Sequence, residues 1–247
     1  MRIYGLIGYP LTHSFSKKYF SEKFARESSS DAMFENYAIP QLTDLKKILA
    51  ENPSLRGLAV TIPYKKAVLS LLDYKDPVVA KTDACNCIRI REGRLYGYNT
   101  DVIGFEQSFV KKLQPGHTKA LVLGTGGAAA AVAWVLEKRS MPFRFVSRRP
   151  SAGQLSYAAV TKEIMETYPV IINCSPVGTF PNTTEAPRIP YEYLTPNHYL
   201  FDLVYNPPRT KFLQEGIRRG AVTENGYEML VYQAAENWRI WNLPATE

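Results

Sequence analysis

Residues 118–138, TKALVLGTGGAAAAVAWVLEK, constrain the fold more than any other stretch of the chain. Ala120-Leu121-Val122-Leu123 is apolar without alternation, the pattern of a strand covered on both faces, and such strands belong to parallel sheets flanked by helices. Gly124-x-Gly126-x-x-Ala129 follows directly and opens an alanine-rich helix. Strand, glycine loop and helix in this order are the context that a dinucleotide fingerprint requires. Gly124 permits the tight turn, Gly126 allows backbone to approach a pyrophosphate, and Ala129 is small enough for helix–strand packing. Thr125, Gly127 and Ala128 complete a loop whose free N–H groups, with the helix dipole, suit phosphate. The plainer alternative is a glycine-rich turn without a ligand.

About twenty residues on, a chain that binds NAD carries Asp or Glu for the ribose 2′-hydroxyl. Here the second strand, 143–147, ends in Ser147-Arg148-Arg149. Two guanidinium groups and a hydroxyl suit a 2′-phosphate, which favours NADP over NAD; the alternative is a pair of solvated arginines. Only residues 148–154 separate this strand from a second strand-like run at 155–161, whereas a parallel crossover takes a dozen residues or more. Either a crossover helix is missing or the two strands are not parallel neighbours.

The rest of the chain alternates strand and helix, which predicts an α/β protein with mainly parallel sheets. Strands are expected at 2–8, 33–39, 57–62, 169–175, 199–205 and 221–225. Helices are expected at 16–27, 41–51, 65–73, 101–113, 208–219 with Gly220 as its cap, and 227–242. Residues 85–100 read as a hairpin turning at Glu92-Gly93. The boundary between halves is expected near residue 101.

The 247 residues carry a formal charge of +7, which suits an anionic substrate or phosphorylated cofactor as well as nucleic acid. No nucleic-acid-binding signature accompanies the scattered basic residues. Three cysteines and three histidines offer neither a disulfide framework nor a zinc site, and a reducing, cytoplasmic setting is expected. No signal peptide or membrane span is legible.

Further polar groups sit where strands give way to helices. Lys65 and Lys66 follow the apolar run 58–62 and Pro63: either a solvated helical turn or a cation at the carboxyl end of a strand, where α/β proteins place ligands. Ser14 and Ser16 precede a helix, as caps or as donors to a bound carboxylate. Asn86 stands at a strand start, where a turn role is the simpler reading. Asn99-Thr100-Asp101 forms a strand-to-helix junction at which Asp101 reads most simply as an N-cap.

Taken together, HSFS (13–16), VTIPYK (60–65), CN (85–86), NTD (99–101), GTGGAA (124–129), DLVYNPPRTKFL (202–213) and NGYEMLVYQAA (225–235) resemble, in order and spacing, the motifs of the shikimate dehydrogenase family. The resemblance implies two domains. An N-terminal α/β substrate-binding and catalytic domain, with a mainly parallel sheet, would span 1–101. A Rossmann-like NADP-binding domain would span 102–226, and the final helix within 227–247 would pack back on the first domain. It makes Lys65 and Asp101 the catalytic pair and gives the substrate carboxylate to Ser14 and Ser16. It gives the ring hydroxyls to Thr61, Asn86, Tyr205 and Gln233. It adds Leu203 and Gly226 to a cofactor set of Gly124, Thr125, Gly126, Gly127, Ala128, Ser147, Arg148 and Arg149. The activity implied is reversible NADP-dependent reduction of 3-dehydroshikimate to shikimate. It needs no metal, nucleic-acid partner or membrane, and is compatible with a monomer or homodimer. The chain departs from the family at Ala59, Cys87 and Ser147 and is short after Arg149. Quinate use and a non-catalytic NADP-binding sensor are the rival readings; a sensor would not need Lys65 and Asp101 together.

Overall fold

The computed structural model describes residues 1–11 and 15–244, so Ser14 lies outside the described residues. The chain divides into two compact units, Met1–Asp101 with Gln233–Glu247, and Val102–Tyr232.

The first unit contains β1 (Arg2–Gly8), α1 (Phe15–Arg26), β2 (Ala32–Ala38), α2 (Leu45–Glu51), β3 (Leu55–Val60), α3 (Tyr64–Ala67), β4 (Tyr74–Lys75), α4 (Pro77–Thr82), β5 (Cys87–Arg91) and β6 (Arg94–Tyr98). They form one sheet in the order β2-β1-β3-β5-β6-β4. β1 runs parallel to both β2 and β3, while β5 is antiparallel to β3 and β6. The β5–β6 turn takes Glu92 and Gly93 at φ 51° and 73°, the two positive values of a tight hairpin turn. Strand alternation splits the core. Ile7, Leu58 and Val60 join one buried cluster, and Tyr4, Leu6 and Ala59 join another with Phe20, Phe24 and Phe34.

The second unit takes up the chain within α5 (Asp101–Phe109) and continues through β7 (Ala120–Leu123), α6 (Gly127–Lys138), β8 (Phe143–Ser147), β9 (Leu155–Ser156), α7 (Lys162–Thr167), β10 (Val170–Asn173), β11 (Tyr199–Asp202), α8 (Lys211–Arg218) and β12 (Val222–Glu224). Its sheet, β12-β11-β10-β7-β8-β9, is parallel throughout. All four residues of β7 are buried, as their unbroken apolarity requires. Tyr199 stacks on Phe109 and Phe201 meets Phe105 edge-on, both partners on α5, while Leu200 between them joins the opposite cluster with Phe212 and Leu213 of α8. α8 closes with Gly220 at φ 74°; its N–H reaches Ile217 O and that of Ala221 reaches Gly216 O, a Schellman ending.

The last helix, α9 (Tyr227–Trp241), ends within the first unit. There Trp241 lies over Gly57 of β3, where a Cβ would sit 2.3 Å from the indole, and its Nε1 donates to Ile88 O at 3.0 Å. Among the described residues no helix is long and apolar enough to cross a membrane.

Two expectations are corrected. Residues 155–161 are not one strand: after Ser156 the chain turns, because the Ser156 hydroxyl accepts from Ala159 N at 3.2 Å and starts a 3-10 turn. The helix expected over 65–73 is a single α turn followed by a 3-10 turn, Val68–Leu71. The choice left open at 148–154 is also decided: β8 and β9 are parallel neighbours, Val146 opposite Leu155, so the crossover helix is missing.

Candidate active site

In the first unit the end of β3 delivers Lys65. Beyond Val60, Tyr64 N returns to Thr61 O at 2.9 Å, and the buried Tyr64 hydroxyl is anchored on Ile39 O. Lys65 O accepts from Cys85 N at 2.7 Å, which draws this turn to Asn86. The Lys65 ammonium then lies 2.6 Å from Asp101 Oδ2, with the lysine side chain 22% exposed and the aspartate 8%. Asp101 Oδ1 accepts from Asn86 Nδ2 at 2.8 Å. Asp101 is therefore not spent as a helix cap: both oxygens are committed to side chains, and the turn at the helix start is made by Asn99 Oδ1, which accepts from Asp101 N at 3.2 Å. Among the described residues Asp101 is the one hydrogen-bond partner of Lys65 Nζ. A lysine ammonium has three N–H donors, so two remain for a ligand oxygen.

Behind the pair runs a buried polar chain that sequence reasoning only partly found. Asn86 Oδ1 accepts from Thr100 N at 2.7 Å. The Thr100 hydroxyl lies 2.6 Å from Asn237 Oδ1, and Asn237 Nδ2 donates to Gln233 Oε1 at 3.4 Å. Asn237 is fully buried and was missed. The available signal was its position four residues after Gln233, on the helix face that also carries Trp241. Thr61 is half-buried at the end of β3, and its methyl occupies the space a Cβ on Gly8 would need. Ser16 is the second residue of α1 and half-buried.

In the second unit, Gly124 sits at φ 110°, where other residues are strained, and α6 begins after Gly126 with no side chain capping it. Nothing lies within 4 Å of where a Gly126 Cβ would be, so a ligand has room to approach. Thr125, Ser147, Arg148 and Arg149 line a cavity of about 600 Å³ beside this helix start. The donor set, exposed guanidinium groups and an uncapped helix N-terminus, fits a phosphorylated dinucleotide. Gly226 fits against the loop after β11 as only glycine can, since a Cβ would meet Leu203 O at 2.1 Å. Tyr205 follows in the same loop, half-buried.

Comparison with known proteins decides the family. Residues 6–88 match the family model described as the shikimate dehydrogenase substrate binding domain. Shikimate dehydrogenase (NADP(+)) of Caldicellulosiruptor saccharolyticus is 33% identical over 96% of this chain and 90% of its own length. This chain belongs to the shikimate dehydrogenase family. The Staphylococcus aureus shikimate dehydrogenase (NADP(+)) is likewise 33% identical, over 96% of this chain and 91% of its own. Among solved structures, shikimate 5-dehydrogenase of Thermus thermophilus in complex with NADP(H) and shikimate superposes with TM-score 0.86 at 31% identity, covering 98% of this chain and 94% of that one. A chorismate mutase/shikimate 5-dehydrogenase fusion from Clostridium acetobutylicum gives 0.87 at 32% identity, over 98% and 91%.

In this member of the shikimate dehydrogenase family burial pushes the Cys85 thiol up to about 12 and raises Cys87 and Cys174 as well. Lys66 pairs at the surface with Asp83, an arrangement worth about 0–1 kcal/mol.

Proposed function

We propose that this chain catalyses the reversible, NADP-dependent reduction of 3-dehydroshikimate to shikimate, with Lys65 and Asp101 handling the proton. The observation that carries the reading is the Lys65–Asp101 pair, held from behind by Asn86 in a chain that aligns with its relatives over 96% of its length. NADPH, when bound, supplies the hydride that forms the new C–H bond. As the carbonyl carbon accepts hydride, the C=O electron pair moves to oxygen, and the Lys65 ammonium donates a proton there. In the oxidising direction the neutral amine takes the proton back. Asp101 fixes the ammonium and, through Asn86, is itself fixed, so little reorganisation is left for the reaction. Ser14 and Ser16 would hold the substrate carboxylate. Thr61, Asn86, Tyr205 and Gln233 would meet its hydroxyls. The Gly124–Ala128 loop, Ser147, Arg148, Arg149, Leu203 and Gly226 would hold the cofactor. The same reading makes the protein a cytoplasmic monomer or homodimer with no nucleic-acid or membrane partner.

The test is the rise in reduced-nicotinamide absorbance with purified protein, shikimate and NADP, run beside quinate and beside NAD. Rapid reduction with shikimate and NADP supports the assignment. Faster turnover of quinate moves the substrate assignment to that acid, and a folded protein that binds NADP but turns nothing over overturns the catalytic reading.

A further inference from the structure

Arg148 lines two cavities of the second unit. One is the Thr125–Ser147–Arg149 cavity described above. The other, of about 680 Å³, opens between the turn after β9, the segment before β11 and the start of α8. Its size falls in the range of small-molecule sites, ~300–1,000 Å³. It shares only Arg148 with the first cavity.

The chemistry of this second cavity is one-sided. Arg188 and Lys211 line it with Arg148, and among the described residues none of the three is ion-paired. Of the two carboxylates on its wall, Glu215 is already neutralised by Arg218 at 2.8 Å and Arg219 at 2.7 Å, which leaves Glu185 against three cations. Tyr157 and Tyr191 supply aromatic surface. Tyr191 is held in place, its hydroxyl donating to Pro187 O at 2.6 Å and its ring edge-on to Phe212 at 6.4 Å. A fixed ring beside unpaired cations suits a ligand that has both an aromatic face and a negative charge.

We propose that this cavity binds a small anion bearing an aromatic ring, an aryl phosphate or aryl carboxylate, and that its occupant antagonises NADP but not NAD. The antagonism arises because Arg148 can turn its guanidinium to one cavity or the other, and only NADP carries the 2′-phosphate that needs it.

The test uses the intact protein without substrate, so it stands apart from the catalytic assignment. Phenyl phosphate, 4-hydroxybenzoate and inorganic phosphate are titrated calorimetrically. Phenyl phosphate or 4-hydroxybenzoate should bind clearly tighter than inorganic phosphate, and which of the two binds tighter distinguishes a phosphate from a carboxylate ligand. The Arg188→Ala/Lys211→Ala variant should weaken the tighter aryl anion about tenfold or more, a loss of ~1.4 kcal/mol or more, and Lys211→Glu should do the same. Arg149→Ala should leave it within about twofold. In competition, the aryl anion should weaken NADP several-fold and leave NAD unchanged, and the double variant should abolish that effect. Equal competition with NAD and NADP, loss of binding in Arg149→Ala alone, or no preference for an aryl anion over inorganic phosphate would each overturn the proposal.

Discussion

At the scale of single residues, Lys65 and Asp101 form a charge-assisted contact of 2.6 Å in a setting only partly open to water. If Lys65 delivers the proton, Lys65→Ala should lower kcat for shikimate oxidation by roughly 10²–10⁴-fold, the usual worth of a positioned acid or base. NADP affinity, measured by calorimetry, should stay unchanged, because the dinucleotide loop lies elsewhere in the chain. A variant retaining most of its turnover would remove Lys65 from the chemistry. The arginines after β8 are exposed and offer no packing to lose. Arg148→Ala with Arg149→Ala should therefore weaken NADP by about 10–100-fold, the cost of one or two charge-assisted contacts, while NAD changes little. Equal losses for the two cofactors would end the 2′-phosphate assignment.

At the scale of elements, the docking of α9 rests on a missing side chain. Gly57 has no Cβ, and the Trp241 indole fills that space and donates to Ile88 O. Gly57→Ala should force the indole outward and destabilise the first unit by about 1–3 kcal/mol, the usual cost of overpacking, readable as a lower urea midpoint. An unchanged midpoint would mean the indole has room to relax. This contact was not legible in the sequence, because a glycine in a strand does not say what approaches it. What was legible depended on period and punctuation. The apolar run of β7, the Glu92-Gly93 turn and the Gly220 ending each combine a pattern with a residue that only one geometry suits. The short elements escaped. α4 carries its own signal, Asp76 accepting from Val79 N at 2.7 Å with Pro77 at the first helical position, yet six residues are too few for periodicity. Residues 155–161 looked like a strand because their apolar residues were counted before the capping hydroxyl of Ser156. In the candidate site, motifs named Lys65, Asn86 and Asp101 but not Asn237, since a buried amide inside a helix looks in sequence like a solvated one.

At the scale of the whole molecule, the +7 charge says little about stability, because most ion pairs here are exposed at one or both partners and worth about 0–1 kcal/mol each. Buried groups of the second unit contribute to the pH response with opposite signs. Asp202 is fully buried at the end of β11, and burial pushes its carboxyl up to about 6 despite hydrogen bonds from Thr210, Val204 N and Asn173. An acid raised in the folded state contributes stability that is complete below its usual 3.8 and is lost as pH climbs through about 6. That gap, at ~1.4 kcal/mol per pH unit, is worth about 3 kcal/mol. His117 and His198 act in the opposite sense: burial lowers both below 6.5, so the stability they give is present above 6.5 and is lost on acidification. Between pH 7 and 4 the aspartate therefore works against what the histidines lose. Asp202→Asn removes the offset and leaves the histidines in place. Measured by denaturant unfolding at pH 7 and pH 4, the variant should lose about 2 kcal/mol more than the parent on going to the lower pH, whatever its starting stability. Parallel losses in the two proteins would show that Asp202 stays ionised across the range, with the three donors outweighing its burial.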